Sequence, residues 1–281
     1  VGLLVGRERS FPDALIVEVA LRGEGVTVSY AEIDATSIDA PLPYDVVVDR
    51  ISHEVTCYQP VLKHAALNGT RVVNNPFWRI ADDKFFNTAL AAKLGVAVPK
   101  TFVLPSKSYS DDVSAETLRN LRYPIDWEHV IDELGFPMFM KPHWGGGFRN
   151  VFRVHSMDEL FATYDGTGQL TMIVQQAVEW TQYVRCIVIG KENVLAAPWD
   201  PRLSHFDRYR LAGESMPPLS EEMSARVSED ARKLCRALGY EMNTVEFGIA
   251  DGVPYAIDFM NSAPDLDITS LGEGHFEWVV Q

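Results

Sequence analysis

The sequence predicts a mixed α/β (α+β) protein that opens on a small parallel α/β layer and continues into α+β portions. Three observations point there. Residues 1 to about 75 alternate strand and helix patterns, the order that builds a parallel sheet. Later strands follow one another around residues 172–175, 183–189 and 194–197 without a helix between them. At 281 residues, 47% apolar and 23% charged, the chain is long enough for two or three compact units with cores of their own.

The elements read in order. Residues 1–5 are apolar and strand-like, and they lack the basic flank and length of a signal peptide; the native start of the chain can lie upstream. Ser10-Phe-Pro12-Asp13 opens a helix, with Pro12 suited to its first turn and Gly23 a stop. Residues 26–30 alternate as a strand, 45–48 form a second buried one, 57–67 have helical spacing and 71–73 are a further strand. No GxGxxG follows the first strand, which argues against a dinucleotide site. Residues 82–94 form a helix that Asp82 can cap and Gly95 ends. A strand at 101–104 leads to a polar stretch, 105–125, that reads as an insertion or mobile loop. A short helix at 127–134, a strand ending near Lys141, a strand at 150–154 and a capped helix at 156–164 follow. After the run of three strands, residues 198–218 form a long loop rich in Arg, His and Asp. Residues 220–238 are an amphipathic helix closed by Gly239, and two strands, 244–249 and 254–259, come last.

Composition excludes some functions. The net charge of −14 argues against a nucleic-acid partner, which needs a basic face. No apolar run reaches the roughly 20 residues of a membrane span. Cys57, Cys186 and Cys235 are scattered without ligand spacing and read as small apolar side chains in a reducing cytoplasm, the expected location.

The most informative stretch is Met138-Phe-Met-Lys141-Pro142-His-Trp-Gly145-Gly146-Gly147. A lysine ending an apolar strand is costly to bury unless an anion meets it. Glycines beside it let backbone N–H groups approach that anion, so the pair suggests a phosphate clamp. Lys84, in the first turn of its helix, is a second cation; taken alone it reads as a surface lysine. The strand end Gln175-Gln176-Ala177-Val178 offers backbone groups to an adenine edge, or is an ordinary strand end. Glu246 and Asp258 lie on apolar strands, with the Asn261 amide soon after. Hard oxygen ligands of this kind suit Mg²⁺, which also relieves the repulsion of two close acids. A pair of solvent-facing acids on an edge hairpin is the alternative, and the apolar flanking residues favour the metal reading over it.

In order, Asn75-Pro76, Asp83-Lys84, Gly95-Val-Ala-Val-Pro99-Lys-Thr101, Lys141-Pro142 with Gly145–Gly147, Gln175-Gln176, Val184-Arg185, and Glu246 with Asp258 and Asn261 resemble the ATP-grasp superfamily over nearly the whole chain. The branch most resembled is the carboxylate–amine ligases, which includes glutathione synthetase, D-alanine–D-alanine ligase and the glutamate-adding ligases. The resemblance implies a substrate domain at 1–75, a central ATP-grasp subdomain at 76–175 and a C-terminal one at 176–281. It implies ATP with Mg²⁺ or Mn²⁺ as cofactors. Lys84 and Lys141 would hold the α- and β-phosphates, and Gly145, Gly146 and Gly147 would fold over the β- and γ-phosphates. Gln175, Gln176, Ala177 and Val178 would line the adenine. Arg185 would meet the γ-phosphate or acyl-phosphate, and Glu246, Asp258 and Asn261 would bind metal. Arg185, Lys141 and Arg208 are the catalytic candidates. The implied reaction activates a small-molecule carboxylate, an amino acid or peptide, as an acyl-phosphate for attack by an amine. A homodimer is compatible with this reading.

The chain departs from the family pattern at three places. Two residues, Phe259 and Met260, separate Asp258 from Asn261 where the family has one. On a regular strand that spacing turns the two side chains to opposite faces, which a bulge or the end of the strand would correct. Gln176 and Tyr183 stand where acids are usual, which leaves Glu179 as the candidate for the ribose hydroxyls. Trp144 and Phe148 make the flanks of the glycine loop bulky. Arg202, His205, Arg208 and Arg210, in the long loop, are candidates for gripping a substrate carboxylate or form a solvated charged loop; Arg50 is another. The alternatives to a ligase are an ATP-grasp kinase or phosphotransferase, a catalytically silent nucleotide-binding module, and an unrelated α/β protein with accidental motifs.

Overall fold

A computed structural model describes residues 1–78 and 83–281, apart from the side chain of Ser215. The chain divides into two compact units. The first takes in Val1–Ala81, Thr181–Ile249 and Asp258–Gln281; the second takes in Asp82–Trp180 and Ala250–Ile257.

The first unit opens with β1 (Gly2–Leu4), α1 (Ser10–Arg22), β2 (Ser29–Tyr30), β3 (Val46–Asp49), α2 (Tyr58–Leu67) and β4 (Arg71–Val73). Their strands form the expected all-parallel sheet, in the order β2-β1-β3-β4. Leu4, Val47, Leu62 and Val72 are its buried centre. Pro12 sits in the first turn of α1, where a missing N–H costs nothing, and Gly23 takes the left-handed conformation that stops it. The strand predicted from residue 26 is confined to Ser29–Tyr30.

The second unit is built from α3 (Lys84–Lys93), β5 (Thr101–Leu104), α4 (Trp127–Leu134), β6 (Met138–Pro142), β7 (Phe152–Val154), α5 (Met157–Asp165) and β8 (Met172–Gln176). Its antiparallel sheet runs β5-β8-β6-β7. Met138, Met140, Met172 and Val174 point into a core shared with Val130, Leu134 and Leu160 from the helices. The Asp83 carboxylate caps α3 by accepting from the Phe86 N–H at 2.8 Å; Asp82, the expected cap, lies outside the described residues. β7 begins at Phe152 and not at residue 150, because Phe148 and Asn150 both have positive φ, which ends strand geometry. Residues 105–126 contain no helix or strand.

The chain returns to the first unit with β9 (Gln182–Ile189), β10 (Asn193–Pro198), α6 (Ala212–Ser215), α7 (Glu221–Leu238) and β11 (Met242–Ala250). β9 pairs antiparallel with both β10 and β11. α7 is capped by Ser220 and buries Val227, Ala231, Leu234 and Leu238, the apolar stripe read from the sequence. Gly239 ends it at φ 72°, and a Cβ there would lie 2.9 Å from the Trp78 ring. β12 (Val253–Asp258) carries the last strand. Two helices that the sequence reading missed, α8 (Ile268–Leu271) and α9 (Glu273–Val280), follow it. They return to α1: Ser10 Oγ donates to Asp267 Oδ2 at 2.8 Å, and Arg22 Nη2 donates to the Gln281 carbonyl at 2.7 Å. Among the described residues, no helix is long and apolar enough to cross a membrane.

Candidate active site

Two sets of chemically competent residues stand out, one in each unit. In the second unit, Lys141 ends β6 and is 9% exposed, with its Nζ 3.5 Å from the Ile257 carbonyl oxygen. The Lys84 ammonium donates to the Gly145 carbonyl, and the Lys84 N–H donates to the His143 carbonyl at 2.8 Å. The start of α3 is thereby tied to the glycine loop by backbone and side chain together. Gly145 and Gly147 have φ of 102° and 69°, which only glycine adopts without strain. A Cβ on Gly145 or Gly146 would meet no heavy atom within 4 Å. Gly146 also lacks positive φ, so neither backbone conformation nor packing accounts for it. Trp144 and Phe148, on either side, are half exposed.

The strand end after β8 is partly occupied. The Gln175 side chain is buried and donates to Thr101 Oγ1 at 2.9 Å, so its amide serves the sheet. The Gln176 N–H donates to the Lys100 carbonyl, and the Ala177 N–H to the Pro137 carbonyl. Glu179 is exposed and ion-paired with Arg153 at 2.6 Å. A ribose hydroxyl at Glu179 would therefore compete with a guanidinium.

In the first unit, β9 and β11 set Arg185 opposite Glu246. Arg185 Nε lies 3.5 Å from Glu246 Oε1, and Arg185 Nη2 donates to Thr244 Oγ1 at 3.0 Å. The Tyr183 hydroxyl donates to Glu246 Oε2 at 2.9 Å. Burial pushes the Glu246 carboxyl up to about 7; Arg185 pulls it down, and Asp258 raises it further. Two neighbouring acids, one poorly solvated, fit a divalent cation, which favours both carboxylates in charged form. Among the described residues, no three or more His, Cys, Asp or Glu side chains are grouped to hold a metal. The remaining ligands would be amide, phosphate or water oxygens, as Mg²⁺ favours.

β12 ends at Asp258, so strand alternation does not govern Asn261. The intervening residues are held by Asn243, which is fully buried. Its Nδ2 donates to the Phe259 carbonyl, and its Oδ1 accepts from the Asn261 N–H, both at 2.9 Å. Asn74 Nδ2 donates to the Ser262 carbonyl at 3.0 Å, and Arg50 donates to the Pro264 carbonyl. Arg50 also grips Glu8 with two nitrogens and lies over Phe11, so this buried guanidinium is committed to internal contacts, unlike the substrate-holding role expected of it.

The long loop after β10 divides its arginines and histidine. Arg202 is forked onto the buried Asp200, Arg210 pairs with Asp207, and His205 Nε2 meets Asp265 Oδ2 at 3.0 Å. Arg208 instead stacks on the buried Trp199 ring at 5.2 Å, the same distance as Arg185 from that ring. The structure thus singles out Arg208 from the four loop side chains as the one sharing an aromatic wall with Arg185. Trp199 and Asn243 escaped the sequence reading because each gains meaning only from neighbours distant along the chain.

No family model matches this chain. A D-alanine–D-alanine ligase of Ralstonia nicotianae is 27% identical over 76% of the chain and 71% of its own length. The carbamoyl phosphate synthase large chain of Deinococcus deserti is 28% identical over 63% of the chain but only 17% of its own length. A RimK domain ATP-grasp protein of Sphaerobacter thermophilus superposes with a TM-score of 0.67 at 20% identity, covering 99% of this chain and 97% of that one. A D-alanine–D-alanine ligase of Bacillus anthracis, solved with ATP, gives 0.61 at 16% identity over 96% and 87%. The chain has the ATP-grasp fold of these structures.

Proposed function

We propose that the chain is an ATP-dependent carboxylate–amine ligase, releasing ADP and phosphate as it forms an amide or peptide bond through an acyl-phosphate. The observation that carries this reading is the buried Glu246 carboxylate, flanked by Asp258 and held by Arg185 and Tyr183. Relatives of this fold that act as ligases support it. The three sheets, falling in successive segments, support a division into 1–75, 76–175 and 176–281.

Bound Mg²⁺ would supply charge neutralisation at the transferring phosphoryl group, with Glu246, Asp258 and Asn261 to hold it. Lys84 and Lys141 bind the α- and β-phosphates, and the N–H groups of residues 145–147 cover the β- and γ-phosphates. The adenine lies along Gln176, Ala177 and Val178, which contribute backbone groups, with Gln175 supporting them from the sheet. Glu179 takes the ribose once it leaves Arg153. Arg185 steadies charge that grows on the transferring phosphoryl group, and Arg208 grips the carboxylate. None of these groups forms a covalent bond; positioning and electrostatics carry the rate. The substrates are a small amino acid or peptide carboxylate and an amine, and the cytoplasm is the compartment in which we propose the reaction runs.

Offering ATP, Mg²⁺ and pooled amino acids and dipeptides tests this. The expected result is ADP and phosphate release stimulated by a carboxylate, with a new amide product. A phosphorylated product without an amide would make the protein a phosphotransferase. ATP binding without turnover would make it a nucleotide-binding module.

A further inference from the structure

The connection that follows β12 is held by side chains in place of a backbone ladder. Residues 259–264 belong to no strand or helix, so their backbone groups need other partners. Asn243, fully buried on β11, supplies two: its Nδ2 donates to the Phe259 carbonyl and its Oδ1 accepts from the Asn261 N–H, each at 2.9 Å. Asn74, also buried, donates to the Ser262 carbonyl at 3.0 Å and to the Met242 carbonyl at 2.7 Å. Its Oδ1 accepts from the N–H groups of Glu241 and Met242. The backbone on either side of Asn261 is therefore tied to the start of β11.

Asn243 is not placed to touch a metal itself. It stands three residues before Glu246 on one strand, and side chains at odd spacing leave opposite faces. Its face is that of α7, where its Nδ2 also donates to Cys235 Sγ at 3.5 Å. Glu246 shares the other face with Thr244, the partner of Arg185. Any effect of Asn243 on the acid cluster thus passes through the backbone it holds. The Asn261 side chain is the opposite case. Its N–H is fixed, but its amide makes no hydrogen bond among the described residues. A clamped backbone bearing an uncommitted amide, three residues after Asp258, is suited to present an oxygen ligand.

We infer that Asn243 is a positioning residue of the metal site: by fixing residues 259 and 261 from the far face of the sheet, it aims the Asn261 amide at the cation that Glu246 and Asp258 would hold. The second residue between Asp258 and Asn261 makes the device necessary, because strand alternation no longer sets the side on which Asn261 falls. The inference rests on the ligase reading for the ion and extends it to a residue that touches neither metal nor substrate.

A double-mutant cycle in the full chain tests it, with Mn²⁺ as the probe. Mn²⁺ is titrated with ADP present, and bound ion is read as loss of the free-ion electron paramagnetic resonance signal against an ADP blank. Asn261→Ala keeps the N–H and with it both Asn243 hydrogen bonds; Asn243→Ala removes the clamp and leaves the ligand. Each single variant should weaken Mn²⁺ binding about 10-fold, the scale of losing a group that orients a ligand. The double variant should bind no more weakly than Asn261→Ala, because one route is removed twice. Without metal, Asn243→Ala should melt lower and Asn261→Ala with the wild type. Where the alanine at 243 does not fold, Asn243→Leu, which fills the volume, enters the same cycle. Wild-type Mn²⁺ affinity in the Asn243 variant, or losses that add in the double variant, would make Asn243 a structural residue only and overturn the inference. Unchanged affinity in Asn261→Ala overturns it too, whatever the Asn243 variants do, and leaves the ligase reading standing on Glu246 and Asp258. Should the wild type bind no Mn²⁺ beyond the blank, the metal reading fails first and this one with it.

Discussion

The glycine loop after β6 and the acid cluster on β9, β11 and β12 handle charge in opposite ways. Around Glu246 the carboxylate itself is engaged: Tyr183 donates to it, Arg185 pairs with it, and Thr244 accepts from the arginine. Such a cluster is organised before any ligand arrives, and its cost is a carboxyl that resists ionisation until a cation joins it. Around Gly146 the recorded ties are those of Lys84 to the carbonyls of His143 and Gly145. Open space surrounds the position, and aromatic flanks lie half exposed. A buried site of this kind specifies geometry through its neighbours; an open loop leaves its geometry to whatever binds.

Substitutions can break that contrast or sharpen it. Asp258→Asn keeps the shape of the acid cluster and removes a charge. Mg²⁺-dependent ADP formation should fall roughly 100-fold or more, with the melting temperature retained. Retained turnover across a Mg²⁺ titration would remove the metal role. Lys141→Ala should weaken ATP binding about 10- to 100-fold by equilibrium binding, the scale of a charge-assisted contact to phosphate. Unchanged affinity would dismantle the phosphate clamp. The smallest expected effect is the most discriminating. Gly146→Ala should leave the unfolding free energy unchanged within about 0.5 kcal/mol, because no atom meets the new methyl. KM for ATP should nonetheless rise several-fold. A stability loss instead would mean that the open loop is packed in solution, and the contrast with the acid cluster would disappear.

The legible parts of the sequence were those with local physics behind them. The amphipathic stripe of α7, its Ser220 cap and the Gly239 stop announce the helix without tertiary help. The buried strand running into Lys141 was equally plain. α8 and α9 were missed because four- and eight-residue helices carry too few turns for a periodic signal; tertiary contacts with α1 hold them. The four arginine and histidine side chains of the long loop looked equivalent in sequence. Only the fold gives three of them acidic partners and sets Arg208 on Trp199 beside Arg185. Gln175 illustrates the converse: its place at the strand end was clear, but its side chain serves Thr101 across the sheet.

Asn243 carries a consequence for how such chains can change. Its amide reads a carbonyl at residue 259 with its donor and an N–H at residue 261 with its acceptor. A side chain with that polarity, fixed in a buried position, stores the length of the connection after Asp258. Deleting Phe259 or Met260 would present it with the wrong groups, and aspartate or leucine in its place could not serve both. The length of the connection and the asparagine are therefore physically coupled: shortening the one removes the partners of the other, and replacing Asn243 leaves the Phe259 carbonyl and the Asn261 N–H without their shared side chain.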